Sequence, residues 1–238
     1  MSAASGFALW RLGFRPFYLL ASVFASASIA LWAAQYAGWL PATYLAGPVW
    51  HAHEMLFGFT LAVMTGFLFT AVRNWTQIPT PTGGALAALA ALWLAGRVLV
   101  LTPYGAAAAA VTTAFPLAVA VSILVPLARS GGGRNLLFVG LLVALAGAEL
   151  AIHLAELGVV AFPARLGVQA ALDIILVVMT VLGGRVIPMF TNNAIPHAGA
   201  RRNVLVERAV PLTLAALVLA DLFQLTGGVL ATLLALCA

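Results

Sequence analysis

Seven stretches of predominantly apolar residues, at positions 17–36, 51–72, 85–101, 107–127, 136–157, 168–187 and 210–226, take up most of the chain. A helix crosses a hydrocarbon core with about 20 such residues. Inside that core a helix satisfies its own backbone N–H and C=O groups. The chain therefore reads as an all-α, polytopic transmembrane helical bundle of about seven spans. Charge agrees with this: 11 arginines, no lysine and 6 acids among 238 residues, with a mean hydropathy of +1.11. That is too little polar surface for a water-facing globule, and too apolar for disorder.

Gly227 and Gly228 open a further apolar run, residues 228–238, which is too short to cross and reads as a truncated eighth span. Proline and glycine fall between the spans, at Pro41, Gly47-Pro48, Pro79, Pro81, Pro103, Gly131–Gly133 and Pro163, where turn chemistry belongs. No soluble domain or short-period repeat appears, so residues 1–238 form one transmembrane domain. The basic residues are scattered singly, which excludes nucleic acid as a partner and leaves the lipid bilayer. Cys237 stands alone, so intrachain disulfides, thiolate zinc sites and covalent c-type haem attachment are excluded. The first apolar run follows Arg11 and Arg15 and is as long as a span, so it reads as a retained anchor.

The arginines orient the bundle. Arg11, Arg15, Arg73, Arg129, Arg134, Arg185, Arg201, Arg202 and Arg208 fall on one side, Arg165 alone on the other, and Arg97 within the third span. By the positive-inside rule the N-terminus is cytoplasmic. Most of the remaining polar side chains then collect in the outer leaflet. His51, His53 and Glu54 open the second span, Arg97 is near the outer end of the third, and Glu149, His153 and Glu156 lie late in the fifth. Gln169 and Asp173 open the sixth span, and Asp221 ends the seventh.

At about 100° per residue, Glu149, His153 and Glu156 share one helix face. His51 and Glu54 share another, with His53 pointing away. Ionisable groups at such depth usually face the bundle interior and mark a pathway or site. Imidazole is the commonest metal ligand, and a carboxylate one turn away orients it by accepting its other N–H. Glu149 precedes His153 by four residues and Glu54 follows His51 by three, spacings that suit this role. Met55 adds a thioether of the kind that suits Cu(I). Single histidines near an interface also occur as ordinary hydrogen-bonded residues, and His197, beside arginines in a loop, reads as solvated. Tryptophans 10, 39, 50 and 75 at span ends read as an aromatic belt, and Gly58 and Gly66 as a helix-packing face.

Several ordered blocks carry a family resemblance. They are Phe14-Arg15-Pro16-Phe17, Trp50-His51-Ala52-His53-Glu54-Met55-Leu56-Phe57-Gly58-Phe59, Gly66-Phe67-Leu68 with Asn74-Trp75-Thr76, Leu92-Trp93-Leu94-Ala95-Gly96-Arg97, and Gly183-Gly184-Arg185-Val186-Ile187-Pro188. Together they resemble the NnrS family over essentially the whole chain, with a departure at Arg73, where the family has proline. The resemblance implies a haem- and copper-containing protein of the bacterial inner membrane. It further implies a link to nitric oxide metabolism, denitrification and resistance to nitrosative stress. Family members have about twelve spans, so the chain corresponds to the N-terminal part of such a protein. On this reading His51, His53 and His153 are the metal ligands, with Arg97 also contacting the cofactor. Glu54, Glu149 and Asp173 are supporting or proton-handling groups. The alternative is a proton-coupled small-molecule transporter, in which the same acids and histidines relay protons.

Overall fold

The computed structural model describes residues 8–40, 43–45, 47–131, 133–201, 203–223, 225, 227, 228, 231, 232 and 235. The run at 228–238 and Cys237 lie wholly or largely outside them. Helices dominate and no strand occurs among the described residues.

After a short 3₁₀ turn at Ala8–Arg11 come α1 (Phe14–Tyr36), α2 (Gly47–Thr76), α3 (Gly83–Leu99) and α4 (Gly105–Arg129). Then follow α5 (Leu137–Glu156), α6 (Arg165–Ala194) and α7 (Val204–Leu222). These are the seven expected helices. Five of them, α1, α2, α4, α5 and α6, are long and apolar enough to cross a membrane. At 17 residues α3 extends about 26 Å, slightly less than the usual core thickness. The longest helices overrun their apolar stretches. α6 continues through Gly183-Gly184 and Pro188 to Ala194, because helical hydrogen bonding does not stop where hydropathy falls.

Residues 1–168 and 169–238 form two compact units. In the first, α2 is the most enclosed helix, packed on α1, α3 and α4, while α4 and α5 lie side by side. Close approach of α1 to α2 depends on glycine. A methyl at Gly58 would overlap the Phe24 ring and crowd the Arg97 guanidinium at 3.2 Å, and one at Gly66 would sit 2.8 Å from the Tyr18 ring. The expected packing face is therefore present. Phe24 also meets Trp93 edge to face at 5.4 Å, and the Trp93 indole N–H donates to the Gly58 carbonyl at 3.0 Å.

α2 changes its winding once. Between Glu54 and Thr60 the helix adopts π geometry, with an ordinary α-helix on each side. Such a wide turn rotates the side chains that follow it relative to an α-helical count, and it recurs at functional sites.

In the second unit, Asn203 caps α7 by accepting from the Leu205 N–H at 2.9 Å. Asn192 clasps Ala200 through both its amide groups, at 2.9 and 2.8 Å. His197 is exposed, as a solvated loop residue should be.

Candidate metal centre

His53, Glu54, Arg97, Glu149 and His153 meet at one end of the first unit. His53 and Glu54 come from the outset of α2, Arg97 from the last turn of α3, and Glu149 and His153 from the last two turns of α5. None is more than 6% exposed, although each carries a polar or charged head group. Groups of that kind are almost never fully buried unless paired.

Part of the pairing is complete. The Arg97 guanidinium donates to Glu54 Oε1 at 2.7 Å, and His53 Nδ1 lies 2.8 Å from the same oxygen. A carboxylate fixed by arginine accepts the Nδ1–H, so the free lone pair of a neutral His53 ring is on Nε2. This differs from the wheel count, which pairs Glu54 with His51. Glu54 begins the π turn, and its flexible side chain reaches the neighbouring ring instead.

The rest of the centre is open. His53 Nε2 and both oxygens of Glu149 are buried without a hydrogen-bond partner among the described residues. Glu149 Oε1 is 3.4 Å from His53 Nε2 and 3.9 Å from Arg97 Nη2, within ion-pair range only. One ligand atom each from His53, Glu149 and His153 falls within 4.8 Å of the others. The His53 and His153 rings meet edge to face with centroids 4.8 Å apart. With both carboxylates ionised and both histidines neutral, Arg97 leaves the cluster one negative charge in excess. A dry interior penalises that excess, and a bound cation removes it.

His153 is held on both nitrogens. Nε2 lies 2.8 Å from the Thr112 hydroxyl and Nδ1 lies 3.0 Å from the Tyr44 hydroxyl. Thr112 also directs its hydroxyl at the Ala109 carbonyl, at 3.4 Å. With the Thr112 proton on that carbonyl, its lone pairs accept from Nε2–H and Tyr44 donates to the bare Nδ1; with the other tautomer both bonds reverse. Tyr44 belongs to the connection between α1 and α2, outside the spans. Burial, reinforced by the Glu54 charge, raises its phenol pKa above the ordinary value and keeps the donor proton in place. Neither Tyr44 nor Thr112 was anticipated from sequence. Thr112 is one hydroxyl in an apolar helix, and its spacing to His153 across two helices leaves no periodic trace.

Within the first unit, His51 and Glu156 stand outside this cluster. His51 turns to α1, where its ring stacks on Trp32 with centroids 4.0 Å apart and planes 11° off parallel. Its Nδ1 is buried and has no hydrogen-bond partner among the described residues. Trp32 in turn lines a cavity of about 420 Å³ together with Gln35, Tyr36, Leu40, Thr43 and Leu45. Glu156, at the end of α5, is only half-buried. Asp173 belongs to the second unit, where the Gln169 amide donates to it at 3.2 Å and to Asp221 at 2.8 Å.

A family model described as NnrS protein matches residues 8–238. No curated protein and no solved structure matches the chain.

Proposed function

The chain belongs to the NnrS family, and on that premise we propose that it binds copper at the His53–Glu149–His153 centre and acts in nitric oxide metabolism and resistance to nitrosative stress. The observation that carries this reading is the set of buried, unpartnered atoms, His53 Nε2 and the Glu149 carboxylate, converging with His153. Imidazole is a ligand that copper takes, and one positive charge balances the cluster that the carboxylates leave negative. Copper held by these residues would supply one-electron chemistry towards a small ligand such as nitric oxide.

The protein's own residues prepare that position. Glu54, fixed by Arg97, holds the His53 ring and leaves Nε2 available. Glu149 offers charge to a cation, or accepts a proton at the same oxygen. Burial of all five side chains excludes water, which strengthens each electrostatic contact.

Haem, which the family also implies, does not fit between His53 and His153. Two metal–nitrogen bonds of about 2.0–2.1 Å in line across an iron hold facing ring centres further apart than the 4.8 Å found here. His51, whose ring stacks on Trp32, is the residue that would hold haem iron. We place the centre at the outer face of the bacterial inner membrane, with the N-terminus cytoplasmic, on the arginine asymmetry. In the second unit Asp173, bonded like Asp221 to Gln169, keeps its candidate role as a supporting or proton-handling group.

One observation favours a second reading. A proton on His53 would balance the same negative charge, with Nε2–H facing Glu149 at 3.4 Å, as a proton-coupled transporter requires. Metal analysis of the detergent-purified chain separates the two. Retained copper that is lost in His53→Ala and His153→Ala supports the first reading. A copper-free protein whose vesicles take up protons supports the second.

A further inference from the structure

We propose that Tyr44 is the access residue of the buried histidine centre. It caps Nδ1 of His153, and whatever reaches that nitrogen must displace it.

Three observations place it there. His153 is completely buried, whereas Tyr44 is only partly so, and the two are in direct contact at 3.0 Å. One side chain therefore links accessible surface to a ring that has none. The Tyr44 ring also lies over His153, with centroids 5.9 Å apart and planes 30° off parallel. Its seat is shaped for it: a methyl at Gly105, the first residue of α4, would stand 3.1 Å from the Tyr44 ring and closer still to Leu157. Glycine at that position leaves the volume in which the tyrosine lies.

The hydrogen-bond pattern gives the plug a chemical role. Thr112 lies against Nε2 of His153 and the Tyr44 hydroxyl against Nδ1, so in the tautomer with the proton on Nε2 the ring's one lone pair is the one Tyr44 covers. An electrophile or cation that uses this lone pair competes with one hydrogen bond and one ring. The identity of the natural visitor, a copper ion, rests on the function proposed above. The existence of the plug does not.

The test uses diethyl pyrocarbonate, which acylates unprotonated imidazole, on the full chain in detergent, with each histidine followed by peptide mass spectrometry. Exposed His197 serves as the internal standard. In Tyr44→Phe, acylation of His153 relative to His197 is expected to rise about tenfold, roughly what one hydrogen bond holds closed. Tyr44→Ala, which also empties the seat, is expected to exceed it. Unchanged His153 reactivity in both variants, at unaltered helical content, would overturn the proposal. A second arm times the loading of Cu(I): faster loading in both variants supports the assignment of the ion, and equal times refute it. A wild-type chain that takes up no copper would remove the metal reading alone, because His153 acylation still decides the plug.

Discussion

The first and second units each hold buried or half-buried carboxylates near a helix end, yet the two clusters differ in kind. In the second, Asp173 and Asp221 share the Gln169 amide as a common donor. In the first, an arginine, two glutamates and two histidines share too few bonds, leaving His53 Nε2 and the Glu149 oxygens without partners. Polarity alone marks both places. What distinguishes a site is polar capacity that is buried and still unspent, since an unsatisfied buried group costs more than a formed hydrogen bond returns.

Removing the single cation of the first cluster tests that contrast most severely. Arg97→Leu leaves two carboxylates buried without a counter-charge and is expected to destabilise the protein by about 3–5 kcal/mol. The double variant Arg97→Leu/Glu54→Gln should recover much of the loss. Thermal unfolding in detergent measures both, and an Arg97→Leu protein as stable as wild type would break the comparison.

Copper content sharpens it next. Glu54→Gln keeps the shape of the side chain but weakens its hold on His53, and should lower copper affinity about 10–100-fold, as loss of a supporting carboxylate does elsewhere. Asp173→Asn should leave affinity unchanged. Equal losses in the two variants would mean that the clusters do not differ in function. Competition with a copper chelator of known affinity gives the measurement.

Two smaller effects concern packing and satisfaction. Gly58→Ala presses a methyl into Phe24 and towards Arg97, and overpacking of this kind costs about 1–3 kcal/mol. Gln169→Leu removes the donor shared by two carboxylates and should cost about 1–3 kcal/mol, without any change in copper. A copper deficit in Gln169→Leu would tie the second cluster to the first.

Much of this was legible before the structure. Apolar lengths predict seven helices, and their arrangement as a helical membrane protein follows from the need to satisfy the backbone without water. The Glu149–His153 face was equally readable, because both lie on one uninterrupted α-helix with a 3.6-residue period. The pairing of Glu54 was not. The count that joins it to His51 fixes only the direction of Cβ, whereas the flexible side chain bends to the preceding ring and is held there by Arg97 from α3. Nor was the separation of His51 from His53 decisive in sequence, since only the position of Trp32 on α1 shows where His51 goes.

The sequence by itself determined the solvent this chain lives in, the seven helices of its described residues, its family and, helix by helix, where the ionisable groups stand. These depend on local composition and on periodicity along single segments. Tertiary structure alone decided that Arg97 neutralises Glu54, that His53 faces Glu149, and that Tyr44 and Thr112 take the two nitrogens of His153. Those contacts join residues 41 to 109 positions apart on separate elements. Their geometry depends on how closely helices approach, which glycines at 58 and 105 permit and no linear pattern encodes.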